Sequence, residues 1–345
     1  MVEPAKVFAQ AKRKHWWIWP ATEKRCSRDE GQPGQDRIPP SAKVHILSWR
    51  FVKACVPLLV SVGLLAWLIG RVHWNELISA LESLNWSLLV PATIALVLSL
   101  YFWDGVCLRT LFSTEESPVS YQQCLRARGI SYLASVVNYE LGQATMAWRV
   151  ARERRSEFFP AASRTVLLAY HDLLVLVTLG LLGAVWSDHA LSVHARNSCA
   201  VALVALLLLG VFPFLLGLRY RERLQQSKWG AGWIDWTWKN SGRLLAWRVC
   251  YYMILLIYAG VAFGIAGLVV NQMTLLSTIP LVLLADALPS ISGLGTRDAA
   301  LQLLLPTSEK QTLLAISLVW SVGLILGRTC IGLFHLWRQT PTHQR

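Results

Sequence analysis

A chain of 345 residues that is 54% hydrophobic and only 15% charged is excluded from the disordered class and from ordinary water-soluble domains. Its composition, with a mean hydropathy of +0.42, is that of an integral membrane protein. The formal net charge of +13 would point to nucleic acid in a soluble chain. Here its distribution points to membrane topology and to anionic lipid at the cytoplasmic face, and no nucleic-acid partner is expected.

Residues 1–47 are polar, basic and interrupted by Gly31-Gln32-Pro33-Gly34 and Pro39-Pro40, so a disordered cytoplasmic tail is expected. Within it, Lys12-Arg13-Lys14-His15-Trp16-Trp17-Ile18-Trp19 mixes cations with indoles. Two readings stand for this cluster: contact with the anionic inner leaflet, or plain disorder. The first 45 residues lack the apolar core of a cleavable signal, so the first span is expected to act as an uncleaved anchor.

A hydrocarbon layer of about 30 Å needs roughly 20 apolar residues per helix. Stretches of that kind lie at 51–70, 87–108, 162–186, 198–217, 249–270 and 312–336. After the first, Trp74 to Glu82 has apolar residues at helical spacing and predicts a short helix on the outer face. Residues 119–148 carry Arg at both ends and a broken apolar centre, which predicts a re-entrant hairpin entering and leaving on the cytoplasmic side. In the loop 222–246, Trp229, Trp233 and Trp236 share one face of a predicted interfacial helix. Residues 275–305 begin and end outside, as a second hairpin.

The fold class expected is therefore an all-α integral membrane protein with about six transmembrane helices and two re-entrant helical hairpins. The order span, span, hairpin, span occurs twice, in a domain over 48–338 with repeat one at 48–186 and repeat two at 197–338. An odd number of crossings per repeat turns the second upside down, which makes an inverted repeat. Leu141, Gly142 and Ala147 echo Leu294, Gly295 and Ala300 at the same spacing.

Residues 1–50 hold ten Lys/Arg against five Asp/Glu, which keeps the N-terminus in the cytoplasm. The expected outside loops, 71–86, 187–197, 271–274 and about 306–311, contain only Arg71, Arg196 and Lys310. Nearly all other cations, including Arg126, Arg128, Arg149–Arg155, Arg219–Arg223, Lys239 and Arg338, are expected inside, and both termini with them. Among the 17 tryptophans, Trp67, Trp86, Trp186, Trp320 and Trp337 fall near span ends, as an interfacial belt would place them. The seven cysteines show no CxxC spacing, so neither a disulfide framework nor a zinc site is expected, and no cofactor.

The candidate lipid-binding residues follow from the two interruptions. Backbone that leaves the helix at membrane depth is tolerated only in protein or beside a wet cavity. Pro289, Ser290, Gly293 and Gly295 break the second hairpin, and Thr296-Arg297-Asp298 opens a helix deep in the membrane. Such an N-terminus suits a phosphate or carboxylate, and Arg297 adds a forked cation that Asp298 can pair. The first hairpin offers Asn138, Tyr139, Gly142 and Gln143, with Arg149 as the nearest cation. Its amides can bond a headgroup or satisfy the broken backbone; both readings stand. Asp104, Asp172 and Asp286 are intramembrane carboxylates that should face the interior. Asp172 is a proton- or headgroup-coupling candidate, or else the partner of Arg149 or Arg164. No Ser-His-Asp order, HExxH, P-loop or GxGxxG is present, and no enzymatic activity is expected.

The run from Leu288 to Ala300, LPSISGLGTRDAA, resembles the LPxSxxGLGxRE signature of the flippase-like lysylphosphatidylglycerol synthase transmembrane family. The resemblance extends through Trp74–Trp86, Leu108-Arg109-Thr110-Leu111 and Asp172, over about residues 48–338, and includes small members associated with hopanoid synthesis. It implies translocation or handling of a polar lipid, often aminoacylated or glycosylated, in the bacterial cytoplasmic membrane. Departures accompany it. Where the family's first hairpin resembles PGRxGExxR, this chain has Asn138, Glu140, Gln143 and Met146 for Pro, Arg, Glu and Arg, and keeps Gly142. Asp298 stands for the usual Glu, so the resemblance does not carry lysyl-phosphatidylglycerol over as the substrate. With the chain ending at Arg345, lipid synthesis is expected to belong to a separate protein. The first expectation is a flippase-like transporter of a phospho-, aminoacyl- or glycolipid. The alternative is a non-transporting accessory subunit of a lipid-biosynthesis enzyme.

Overall fold

The computed structural model describes residues 70, 73–113, 118–154, 156–186, 197–198, 200–208, 227, 229–232, 236–285, 296–305, 307 and 309–338. The expected tail over 1–47 and nearly all of the first span lie outside the described residues. Helix α1, Trp74–Ser83, is the short helix expected between the first two spans. It turns directly into α2, Trp86–Phe112, where the indole of Trp86 donates back to Leu81 O at 3.0 Å.

The first hairpin is α3, Tyr121–Val137, followed by α4, Tyr139–Arg154. Ser120 starts α3 through a capping box with Gln123. A single residue joins the two arms. Asn138 is extended, with φ −156° and ψ 135°, and its side-chain oxygen accepts from the amides of Glu140 at 2.7 Å and Leu141 at 3.4 Å. It thus ends one helix and caps the next. Of the two sequence readings for Asn138, the structure shows the backbone one. Gly142 lets the arms close: a Cβ there would lie 2.5 Å from Ser135 Cβ and 3.2 Å from Ser131 O. Both serines return their hydroxyls to their own helix, at 2.8 Å each, so the tight face carries no orphan donor.

Helix α5 spans Phe158–Trp186, and residues 200–208 are helical; the remainder of the fourth expected span lies outside the described residues. Gly230–Gly232 forms one 3-10 turn, and residues 233–235 of the expected tryptophan-faced helix are not described. Helix α6, Trp238–Ile265, begins well before the expected 249–270 because Thr237 caps Asn240 N. It also stops sooner. Gly267 at φ 75° closes the end, its amide bonding Gly264 O while Leu268 N bonds Phe263 O.

The second hairpin is α7, Gln272–Ala285, and α8, Thr296–Leu304, leading into α9, Lys310–Trp337. At 1.5 Å per residue α7 reaches about 21 Å, short of the roughly 30 Å hydrocarbon layer. Residues 286–295, which follow it, are not described. Among the described residues, α2, α5, α6 and α9 are long and apolar enough to cross a membrane.

The packing can be set against the expected repeat. Helices α2, α3–α4 and α5 correspond in order to α6, α7–α8 and α9. The two equivalent helices α2 and α6 pack on each other, α5 packs on α7, and α9 packs on α3. Each hairpin thus leans on the closing span of the other half. The α2–α6 pair runs antiparallel, since Thr93 meets Tyr258 at 2.9 Å and Trp103 meets Trp247 O at 2.7 Å. Equivalent helices that cross antiparallel relate their repeats by an axis in the membrane plane, the inverted arrangement.

One expectation about the tryptophan belt is corrected. Trp86, Trp186 and Trp337 are exposed at helix ends, but Trp320 is fully buried. Its ring meets Tyr258 at 5.4 Å in the core between α6 and α9. Belt placement is a matter of depth along a helix, and Trp320 sits a third of the way down α9, facing inward.

Candidate functional site

At the centre of the bundle, four helices bring ionisable side chains into low-dielectric surroundings, where they persist only if paired. Asp104 of α2 is completely buried. Its Oδ2 accepts from Arg128 Nε at 2.7 Å and from the Tyr132 hydroxyl at 3.0 Å, and its Oδ1 from Arg248 Nη1 at 3.1 Å. Arg248 of α6 also faces Asp172 of α5, with Nε 3.1 Å from Oδ1. The chain of charges Arg128–Asp104–Arg248–Asp172 therefore ties the first hairpin to α2, α6 and α5. The guanidinium carbons of Arg128 and Arg248 each lie 4.9 Å from a ring centroid, Tyr132 and Tyr251 respectively.

The second hairpin is anchored in the same way. Arg297 and Asp298, in the first turn of α8, are buried and dock on α9: Arg297 donates to Ser321, and Ser317 donates to Asp298. Arg297 also lies over the Trp320 ring at 5.1 Å. It thus combines a packing role with its place beside the cavity.

Between these anchors is a cavity of about 220 Å³. Its polar wall comes from Ser135 and Tyr139 at the tip of the first hairpin, Asp172 of α5, Arg248, Tyr251 and Tyr252 of α6, Arg297 of α8 and Arg328 of α9, with Arg128 behind. Leu283 and Leu284, at the end of α7, complete the contribution of the second hairpin. Described residues of both hairpins border one shared space. The volume is below the roughly 300–1,000 Å³ of sites for drug-sized ligands.

The sequence candidates divide accordingly. Tyr139, Asp172 and Arg297 line the cavity, and Asp298, beside Arg297 in the chain, accepts from Ser317 of α9. Asn138 and Gly142 build the hairpin bend. Gln143 holds a buried carbonyl oxygen with no partner among the described residues. Arg149 pairs with Glu153 one turn along α4, at 3.0 Å. Pro289, Ser290, Gly293, Gly295 and the carboxylate Asp286 lie outside the described residues. The partner of Asp172 is Arg248, neither Arg149 nor Arg164; Arg164 instead donates to Gly232 O and Phe112 O at 3.1 and 3.3 Å.

Arg128, Ser135, Arg248, Tyr251, Tyr252 and Arg328 escaped the sequence reading. Arg128 was grouped with the cytoplasmic cations yet is buried against Asp104. Arg248 lay just before the expected span, and the early start of α6 draws it inside. Tyr251, one turn beyond it, faces the same cavity. Arg328 lies within an expected span, where an intramembrane charge is itself the signal.

These features define a polytopic α-helical membrane protein with inverted repeats, paired hairpins and a charged central cavity. Residues 55–332 match the family model of the lysylphosphatidylglycerol synthase transmembrane region, and the chain belongs to that family. No curated protein and no solved structure matches it.

Proposed function

We propose that the protein binds the headgroup of a polar lipid in the central cavity and carries it between leaflets. The observation that supports this reading is the cavity itself: one space bordered by both hairpins and lined by intramembrane Arg, Asp and Tyr. Charge at membrane depth is costly, and it is retained in such bundles chiefly at substrate or ion pathways. Inverted repeats with discontinuous helices meeting at a midplane site provide the geometry for alternating access. Acyl chains stay in the hydrocarbon, where α2 and α9 leave an apolar groove of about 650 Å³ on the outer surface of the bundle.

The test is reconstitution in liposomes with fluorescent NBD-labelled phosphatidylglycerol in both leaflets. Dithionite added outside bleaches only the outer-leaflet probe. Loss of signal beyond that fraction, dependent on the protein, supports translocation. Loss confined to the outer-leaflet fraction, for NBD-labelled phosphatidylethanolamine as well, refutes transport and leaves the accessory-subunit role.

A further inference from the structure

The carboxylates around the cavity are already committed. Asp104 is shared by Arg128, Arg248 and Tyr132, Asp172 faces Arg248, and Asp298 takes the Ser317 hydroxyl. Arg328 is different. It projects from α9 into the cavity wall, half-buried, and its guanidinium meets only the ring of Tyr132, 5.7 Å from the centroid. No carboxylate, carbonyl or hydroxyl among the described residues accepts a hydrogen bond from it. The described lining and its supports therefore hold Arg128, Arg248, Arg297 and Arg328 against Asp104, Asp172 and Asp298, which leaves one cation in excess. Tyr139 and Tyr251 also border the cavity, their hydroxyls without a hydrogen-bond partner among the described residues, adding donors and no fixed negative charge.

An unpaired guanidinium at membrane depth is unfavourable unless an anion or water completes it. A planar fork of donors matches phosphate oxygens in particular, by two parallel hydrogen bonds. We infer that the cavity is a phosphate site selective for a headgroup of net negative charge, with Arg328 as the cation that meets the phosphate. A headgroup carrying an additional amine, such as the aminoacyl esters in the family's name, brings its own cation to a wall already in positive excess and is disfavoured. The inference rests on the headgroup reading for its lipid source, but it concerns binding and not movement.

The experiment uses the full chain in neutral detergent and reads binding by thermophoresis, independently of translocation. Dihexanoyl-phosphatidylglycerol should bind about tenfold to a hundredfold more tightly than dihexanoyl-phosphatidylcholine, the range spanned by one charge-assisted hydrogen-bond set. Arg328→Gln should abolish that preference while the protein stays monodisperse, because the side chain has no polar partner to abandon. Arg328→Lys should restore part of it, since a point charge lacks the fork. Inorganic phosphate that competes as well as the anionic lipid upholds the anion site and assigns it to free phosphate; competition by the lipid alone assigns it to a headgroup. Equal binding of the two lipids, or an undiminished preference in Arg328→Gln, overturns the inference. Intact selective binding without translocation in liposomes overturns only the transport reading.

Discussion

Replacing Asp104 with Asn removes one negative charge while nearly preserving shape, and so isolates the electrostatic role of that side chain. In the wild-type protein the carboxylate accepts from two guanidinium groups and a phenol in full burial. In the variant Arg128 loses its only carboxylate, and Arg248 keeps Asp172 alone. Removing one partner of a buried pair costs about 3–5 kcal/mol, because the remaining charge stays desolvated. The upper part of that range applies here, since two cations depend on one acid. At about 2 °C per kcal/mol, the value for larger domains, the apparent Tm in detergent should fall by about 8–10 °C. Intrinsic fluorescence or size-exclusion thermostability would measure it. A companion variant, Asp104→Asn with Arg128→Gln, removes a charge of each sign and should regain part of the loss, since residues in one network are not additive. If Asp104→Asn melts within about 2 °C of wild type, or if the double variant is as unstable as the sum of the singles, the charge chain is not what fastens the first hairpin.

Other outcomes follow from the same geometry. Asn138→Ala removes the cap between α3 and α4 and should cost about 0.5–2 kcal/mol, read as a lower apparent Tm. Gly142→Val should be worse: the added carbons meet Ser135 and Ser131 O, and overpacking of this kind costs about 1–3 kcal/mol, with loss of monodisperse protein as the readout. Arg297→Ala should lose folded protein as well as function, because Ser321 and the Trp320 ring lose their partner; normal yield with abolished lipid binding would show that packing there is incidental. A single cysteine at Ser83 should be labelled from outside the cell, and one at Arg243 only after permeabilisation. The reverse would invert the expected topology.

How far the sequence could be read depended on the kind of signal. Long apolar runs fix spans by a length rule that needs no tertiary information, so α2, α5 and α9 fall close to their expected bounds. The end of α6 was misplaced because Gly267 and Thr237 override hydropathy at helix termini. The first hairpin was legible from charge on both flanks of a broken apolar centre, the second from its Pro and Gly interruption between two outside ends. The cavity was legible only in part. Asp172 and Arg297 are charges in obviously apolar surroundings, whereas Arg128 lies in a helix whose sequence, with Arg126 and Gln123 nearby, reads as surface. Its burial comes from α2 and α9 packing around it, contacts between residues far apart in the chain. Gly142 was placed in the binding site by its echo of Gly295, but spacing alone does not separate a close approach between hairpins from one within a hairpin. Trp320 shows the corresponding limit for aromatic residues, because the side of the helix matters as much as the depth.

The exchange of partners between the halves, α5 with α7 and α9 with α3, also bears on how the molecule is assembled in the membrane. Roughly 200 residues separate α3 from the span it finally leans on, so at about 5–20 residues per second the first hairpin waits roughly 10–40 s for α9. During that interval Gly129 and Leu133, which end against His335 and Gly332, face lipid or chaperone. Arg128 does not wait in the same way, because Asp104 precedes it in the chain and can neutralise it as soon as both are inserted. The early pairing of these two charges lets a half-built protein keep a cation in the bilayer until its last helix arrives. A chain truncated before α9 is therefore expected to be unstable in the membrane, because α3 lacks the helix it packs on.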